Sequence, residues 1–145
     1  MAAVLSLLLG EAIQAREIVS YAFVQDDATL RVRGKTIRLF GIHVPETERT
    51  CRTFIHPVQC GSRAVLALEF KIGARFVHCD TVRKNEDASV TAVCRVDDED
   101  LSAYLISRGW AVALPDAPFE YHILEKIARH KSFGVWGFQA DVIQR

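Results

Sequence analysis

Hydrophobic and polar residues alternate most regularly between residues 24 and 46, where the pattern predicts two strands joined by a tight turn. Apolar side chains alternate there with polar or small ones, which is typical of strands buried on one face. They are Leu30, Val32, Ile37, Leu39 and Ile42. Arg33, Gly34 and Lys35 supply the turn, and Pro45 is expected to end the second strand.

Three further strands are predicted from short apolar runs bounded by polar turns. They cover residues 17–24, 74–80 and 89–96. The last two flank a polar turn at residues 84–87. By contrast, residues 46–60 show no sustained period and predict a loop, and a long loop beside a sheet often borders a functional site.

Helical periodicity predicts three helices, each with a recognisable start and stop. The expected N-caps or first residues are Ser62, Asp100 and Pro118. The glycines expected at the ends are Gly73, Gly109 and Gly134. The chain therefore runs through three strands, a helix, two strands and two helices.

This order predicts an α+β, mainly β fold, namely a five-stranded OB-fold barrel with three helices. A small α+β sandwich fits the same order of elements, so periodicity alone leaves both architectures open. With 145 residues and a hydrophobic content of 50%, the chain has room for one core and one domain.

The overall charge does not indicate a polyanionic partner, because eighteen basic residues balance eighteen acidic ones. The central hairpin nevertheless carries a local basic cluster. It comprises Arg31, Arg33, Lys35 and Arg38. Such a cluster fits an anion-binding face, and it also fits a solvated strand face with no ligand.

Residues 1–15 resemble the end of a secretory signal, because an apolar run at residues 2–9 is followed by the sequence Ala12-Ile13-Gln14-Ala15. The positively charged start of such a signal is missing, so a first helix that packs on the domain is the alternative. The run is too short to span a bilayer. We expect one domain over residues 16–145 in a periplasmic or secreted protein.

Four cysteines without metal-binding spacing favour disulfides over a zinc site. Cys79 and Cys94 lie on either side of the turn at 84–87, so an antiparallel strand pair would place them opposite each other. Cys51 and Cys60 would close a compact loop between strand and helix. Four reduced thiols in a cytosolic protein are the alternative.

Several motifs recur along the chain in an order that resembles a known family. They are residues 37–46, Cys60 and Gly61 before a helix with Ala64, the helix that starts at Asp100 and ends in residues 108–111, and finally Glu125, Ala128, Arg129 and residues 134–136. Together they make residues 17–138 similar to the staphylococcal-nuclease-like (thermonuclease) family. The fold of that family is an OB barrel with three helices.

Active members of this family are calcium-dependent phosphodiesterases that cut DNA or RNA. The resemblance places the phosphate-contacting arginine on Arg38 and the water-activating carboxylate on Glu46. It places the two metal-ligating aspartates on Ala28 and His43, and the second transition-state arginine on Ser89. Arg38 and Glu46 are thus retained catalytic positions, whereas the other three are degraded.

These losses argue against the chemistry of the family. Calcium takes six to eight oxygen ligands, with carboxylates to offset its dehydration, and an alanine cannot coordinate a cation. One lost electrostatic contact to a transition state costs about 2.7–4 kcal/mol. We therefore expect no cofactor, since calcium is expected of the family but its site is lost here.

Other residues would have to replace the lost groups for a nuclease to survive. The candidates are Asp26 and Asp27 as metal ligands, His43 with Glu46 at a transition metal, and Arg83 or Arg95 as the second arginine. Without such replacement, Arg38 and Glu46 are left with a structural role, as an ion pair at the mouth of the barrel.

Two functions follow from the sequence. We expect a non-catalytic protein whose barrel serves as an exported binding or scaffolding module, with a divergent secreted phosphodiesterase as the alternative. OB surfaces bind oligosaccharides as well as oligonucleotides, and similar bacterial proteins carry names linked to exopolysaccharide biosynthesis. The ligand at the barrel face is accordingly an oligosaccharide, a nucleic acid or a protein. We expect a monomer without a transmembrane segment.

Overall fold

The computed structural model describes residues 17–45, 50–51 and 58–137. The strands are β1 (Glu17–Ser20), β2 (Ala22–Val24), β3 (Leu30–Val32), β4 (Lys35–Leu39), β5 (Ile42–His43), β6 (Thr50–Cys51), β7 (Val58–Gln59), β8 (Val77–Lys84), β9 (Val90–Val96), β10 (Glu99–Asp100) and β11 (Val112–Ala113). The helices are α1 (Cys60–Ile72), α2 (Leu101–Ser107) and α3 (Phe119–His130), followed by a 3-10 turn at Gly134–Trp136. Within the described ranges, none of these helices is long and apolar enough to cross a membrane.

The main sheet curls into a nearly closed barrel. Its strand order is β1-β8-β9-β4-β3-β2, so β1 and β2 lie at its two edges. Only Tyr21 separates these two strands, and together they form one bent strand that pairs with β8 and with β3. Counted as one, they give the order of a five-stranded OB barrel, in which β4 pairs with β9 in parallel. The structure confirms the predicted fold class and excludes the sandwich.

The strand register directs alternate side chains into the barrel. Leu30 lies opposite Ile37, which in turn lies opposite Val90, and all three are buried. Helix side chains complete the core and are fully or almost fully buried. They include Leu68, Ile72, Leu101, Leu105 and Ile106. Burial of each such side chain contributes about 1.5–3 kcal/mol to the free energy of folding. Because the apolar strand residues must face this core, the residues between them point outward.

Asp100 caps α2, as the sequence predicts. Its Oδ1 accepts hydrogen bonds from the backbone amides of Ser102 at 2.8 Å and Ala103 at 3.4 Å. The hydroxyl of Tyr121 donates to Oδ2. Burial, together with this hydrogen bond, raises the pKa of Tyr121. The cap therefore also ties α3 to the start of α2.

Two glycine motifs meet where α2 and α3 end. Gly109 and Gly134 have φ values of 78° and 54°, a region that favours glycine. A Cβ on Gly109 would lie 2.1 Å from the carbonyl oxygen of Phe133. The amide of Val135 donates to the Gly109 carbonyl at 2.9 Å. Two segments that are distant in sequence can thus make direct backbone contact.

The predicted ends of two helices are wrong. Helix α1 begins at Cys60, because β7 runs directly into it, so Ser62 lies in its first turn instead of at its N-cap. Helix α3 ends at His130, and Gly134 opens the separate 3-10 turn. The left-handed backbone of Ser132, with φ of 54°, breaks the helix between them.

Three predicted strand or loop segments also differ from the structure. The strand at 17–24 is divided at Tyr21, because its halves pair with different strands. The loop at 46–60 contains the hairpin of β6 and β7. The strand at 74–80 begins only at Val77, since the turn that ends α1 includes a hydrogen bond from the Arg75 amide to the Ile72 carbonyl.

One predicted disulfide is confirmed. Cys79 lies opposite Cys94 in the register of β8 and β9, and the two are joined by a disulfide with their Cα atoms 4.0 Å apart. The proposed bridge between Cys51 and Cys60 lies outside the described side chains, as does the N-terminal signal at residues 1–15.

Candidate functional site

The turn between β2 and β3 holds the first of the degraded positions. Asp27 Oδ1 accepts hydrogen bonds from both the amide, at 3.0 Å, and the hydroxyl, at 2.6 Å, of Thr29. The carboxylate therefore serves to close its own turn. Ala28 has φ of 62° and is 5% exposed, so its methyl group packs into the core. Asp26 is exposed beside it.

The turn between β8 and β9 has the same construction. The Asn85 amide donates to the Ser89 carbonyl at 2.9 Å, and the Ala88 amide donates to the Asn85 carbonyl at 3.3 Å. Asp87 Oδ1 accepts from both the amide, at 3.0 Å, and the hydroxyl, at 2.5 Å, of Ser89. Ser89, expected at the second-arginine position, is therefore a buried turn residue with 5% exposure.

Arg38 binds to this second turn. Its Nε donates to Ser89 Oγ at 3.2 Å, and its NH2 group donates to Asp87 Oδ2 at 3.1 Å. Hydrogen bonds from the Ser89 side chain and backbone, followed by the one from Arg38, lower the pKa of Asp87 to about 2. Asp87 is thus ionised at neutral pH, and it neutralises the arginine that the family resemblance assigns to phosphate.

A shallow depression of about 260 Å³ lies where the resemblance places the metal. Asp27, Ala28, Arg38 and His43 are among the residues that line it. His43 is exposed on β5, where it lies opposite Val112 of β11. These residues do not fit calcium, because among them only one carboxylate is present and it already caps its turn. In the described part of the chain, no three His, Cys, Asp or Glu side chains group together to hold a metal ion.

The outer surface of the barrel presents arginines in two neighbouring rows of the strand register. The rows are Phe23-Arg31-Thr36 and Arg38-Thr91-Arg83. We call Arg31, Arg38 and Arg83 the arginine stripe. Thr36 and Arg38 are two residues apart on β4, so the rows are separated by about 7 Å. Within the described ranges no carboxylate contacts Arg31 or Arg83, whereas Arg38 is paired.

The residues proposed as replacements for the lost groups lie in different places. Arg83 shares its register row with Arg38. Arg95 is four residues beyond Thr91 on β9, about 13 Å along the strand, where it donates to Asp80 at 3.0 Å. Arg95 therefore cannot serve at the depression. Glu46 lies outside the described residues, so its role stays a prediction.

Sequence reasoning missed Asp87 as the partner of Arg38. A signal was present, because residues 25–29 and 85–89 share one order of side chains: an amide, an acid, an aspartate, an alanine and a hydroxyl. Asp87 can reach Arg38 because β4 and β9 pair in parallel and bring the two segments together. The repeated order of side chains therefore indicates the second turn but not its partner, because Arg38 and Asp87 are 49 positions apart in the chain.

Comparison with known protein families and with curated proteins found no match for this chain. The resemblance to the staphylococcal-nuclease-like family therefore stays a prediction, and the function has to be argued from the geometry of the site.

Proposed function

We propose that this protein is a non-catalytic, nuclease-like barrel that acts as an exported binding module. The observation that carries the proposal is the contact of Arg38 with Ser89 and Asp87. A guanidinium that stabilises a phosphoryl transition state has to be available to the substrate oxygens. Here Arg38 is held by a carboxylate, and the second arginine is replaced by the serine that helps to hold it.

The arginine stripe supports an anionic ligand for this module. Arg31 and Arg83 are exposed, and Phe23 beside Arg31 is 73% exposed. Positive side chains along a sheet with an aromatic ring among them are typical of surfaces that bind extended polyanions. The ligand would contact the stripe without a metal, since the stripe supplies the compensating charge itself.

Export is supported by the disulfide between Cys79 and Cys94. Disulfides persist in oxidising compartments such as the periplasm and the extracellular space, and they are rare in the cytosol. The apolar run at residues 2–9 is consistent with the same destination.

A cleavage assay tests the non-catalytic part of the proposal. We expect no cleavage of single-stranded DNA or RNA with calcium, manganese or zinc, and no heat in a calcium titration. The variant Ala28→Asp/His43→Asp rebuilds both family carboxylates and should gain measurable calcium binding. Robust cleavage by the wild type that is abolished by Glu46→Gln would overturn the proposal in favour of a divergent phosphodiesterase.

A binding assay tests the arginine stripe. Fluorescence anisotropy with a labelled poly-thymidine strand and with a labelled polygalacturonate distinguishes nucleic acid from acidic oligosaccharide. For the polymer that binds, Arg31→Ala/Arg83→Ala should reduce the slope of log K against log salt. For the single DNA strand the reduction should be about 1.4, since each phosphate contact contributes about 0.7. Arg63→Ala, which removes an exposed arginine of α1, is the matched control and should not change the slope. Equal loss in both variants would place binding elsewhere.

A further inference from the structure

A second concave site lies at the opposite end of β8 from the arginine stripe. It is a cleft of about 360 Å³, which falls in the range of small-molecule sites. Among the residues that line it are His78 and Arg95, which we call its floor, and Phe76, which we call its wall. His78 is five residues from Arg83, so about 17 Å of strand separates the two surfaces. The cleft is therefore independent of the proposed anion site.

The floor of this cleft is held in place by the disulfide. His78 and Arg95 are register partners, and Cys79 and Cys94 are the next pair along the same two strands. The disulfide fixes the spacing of β8 and β9 directly beside the two polar side chains. Sites that bind small ligands need such polar groups to be preorganised.

Contacts with neighbouring carboxylates orient the polar groups of the cleft. His78 Nδ1 lies 3.0 Å from Glu17 Oε1, and Arg95 donates to Asp80 Oδ2 at 3.0 Å. Arg75 and Asp97, which also line the cleft, pair with each other. A guanidinium carries five N–H donors and a carboxylate about four acceptor sites, so these pairs leave hydrogen-bonding capacity of both kinds.

The wall of the cleft is aromatic and exposed. Phe76 is 51% exposed, and its ring meets that of Tyr21 at a centroid distance of 4.6 Å and an interplanar angle of 68°. This edge-to-face contact holds the Phe76 ring in place, while Tyr21 itself is 57% exposed. The apolar ring of Phe76 thus lies in the same cleft as the polar side chains of His78 and Arg95.

The charge of the cleft disfavours an anion. Glu17, Asp97 and Asp98 supply three carboxylates against the guanidiniums of Arg75 and Arg95, so the formal charge is −1 when His78 is left out of the count. The sign is opposite to that of the arginine stripe. The cleft therefore disfavours an anion, and its mixed donors and acceptors beside Phe76 fit a ligand that both donates and accepts hydrogen bonds and has an apolar face.

We propose that this cleft binds a neutral, polyhydroxylated ring, which is the chemistry of a sugar residue. The hydroxyl groups of such a ring match the mixed donors and acceptors of His78, Arg95 and Glu17. Its C–H face matches the ring of Phe76. A ligand of about twelve heavy atoms is expected to bind in the millimolar range.

Amide chemical shifts during titration with galactose, and separately with galacturonate, test the proposal. The two ligands share one ring and differ in a carboxylate. We expect galactose to shift the amides of His78 and Arg95 but not that of Arg38, with a millimolar dissociation constant. Galacturonate should bind at least threefold more weakly.

Phe76→Ala should weaken galactose binding at least fivefold, because it removes the apolar wall. Phe70→Ala is the matched control, since Phe70 is 86% exposed on α1 and does not line the cleft. His78→Gln gives a second variant that keeps the aromatic wall, and it should weaken binding as well. Absence of shifts at His78 and Arg95 with 50 mM galactose, tighter binding of galacturonate, or equal loss in Phe70→Ala and Phe76→Ala would each overturn the assignment.

Discussion

The two turns at residues 25–29 and 85–89 are built alike and lie beside the same strand, β4. In each, an aspartate accepts from the amide and the hydroxyl of the residue two positions later. In each, an alanine has a left-handed backbone, with φ of 62° for Ala28 and 67° for Ala88. The chain thus makes the same self-contained turn twice, and in both the aspartate stabilises the backbone.

The turns differ in what lies outside them. Asp87 uses its second oxygen to hold Arg38, whereas within the described ranges no basic side chain contacts Asp27. Ala88 is exposed, whereas Ala28 is in the core. An acidic turn is therefore not a metal site by virtue of its carboxylate. The role of such a turn depends on what its other groups contact, which is Arg38 for the turn at 85–89 and the core for the turn at 25–29.

The two turns should differ most in the stability that is lost when the hydroxyl group of each turn is removed. Ser89→Ala should lower the free energy of unfolding by about 2 kcal/mol, because Ser89 Oγ donates to Asp87 and accepts from Arg38 and Asn85. Thr29→Val should cost about 1 kcal/mol, since among the residues that the structure describes no arginine contacts Thr29. Urea denaturation of both variants measures the two values.

Ser89→Thr is the matched control for the first variant, since it keeps the hydroxyl and should retain most of the stability. Equal losses in Ser89→Ala and Thr29→Val would show that Arg38 adds nothing to the second turn. The proposed explanation for a non-catalytic Arg38 would then lose its main support.

Local sequence patterns predicted the parts of the fold that depend on neighbours in the chain. The cap by Asp100 depends on amides two and three residues away, and the disulfide of Cys79 with Cys94 depends on a single hairpin. The break at Tyr21 is different, because β1 pairs with the distant strand β8 whereas β2 pairs with the neighbouring strand β3. The same reason hides the pairing of Arg38 with Asp87, which requires the parallel contact of β4 and β9.

Replacing the alanine of each turn by glycine should change the free energy of unfolding by a smaller amount, and for Ala88 in the opposite direction. Ala88→Gly should raise the free energy of unfolding by about 0.5 kcal/mol, because relief of the left-handed backbone exceeds the entropy cost of glycine. Ala28→Gly should give no gain, since it also removes a buried methyl group worth about 0.8 kcal/mol. Urea denaturation measures the free energy of unfolding of both variants. The difference between the two values isolates the buried methyl group, because the backbone contributions cancel. A larger gain for Ala28→Gly would contradict the burial of that methyl group.

The smallest effect is expected from the charge of Asp87, which accepts hydrogen bonds from Ser89 and pairs with Arg38, and it should depend on pH. The pKa of Asp87 is lowered from 3.8 to about 2, so its stabilising contribution is complete above the unfolded value and is lost as the pH falls through the folded one. The stability gap between wild type and Asp87→Asn should therefore be constant from pH 7 to pH 5 and should shrink from pH 4 towards pH 2. Urea midpoints at these four pH values and low salt measure the gap. In an Arg38→Gln background, the gap produced by Asp87→Asn should be narrower at neutral pH. A gap that stays the same at pH 2 would mean that Asp87 acts only as a neutral turn residue, and the two turns would then be equivalent.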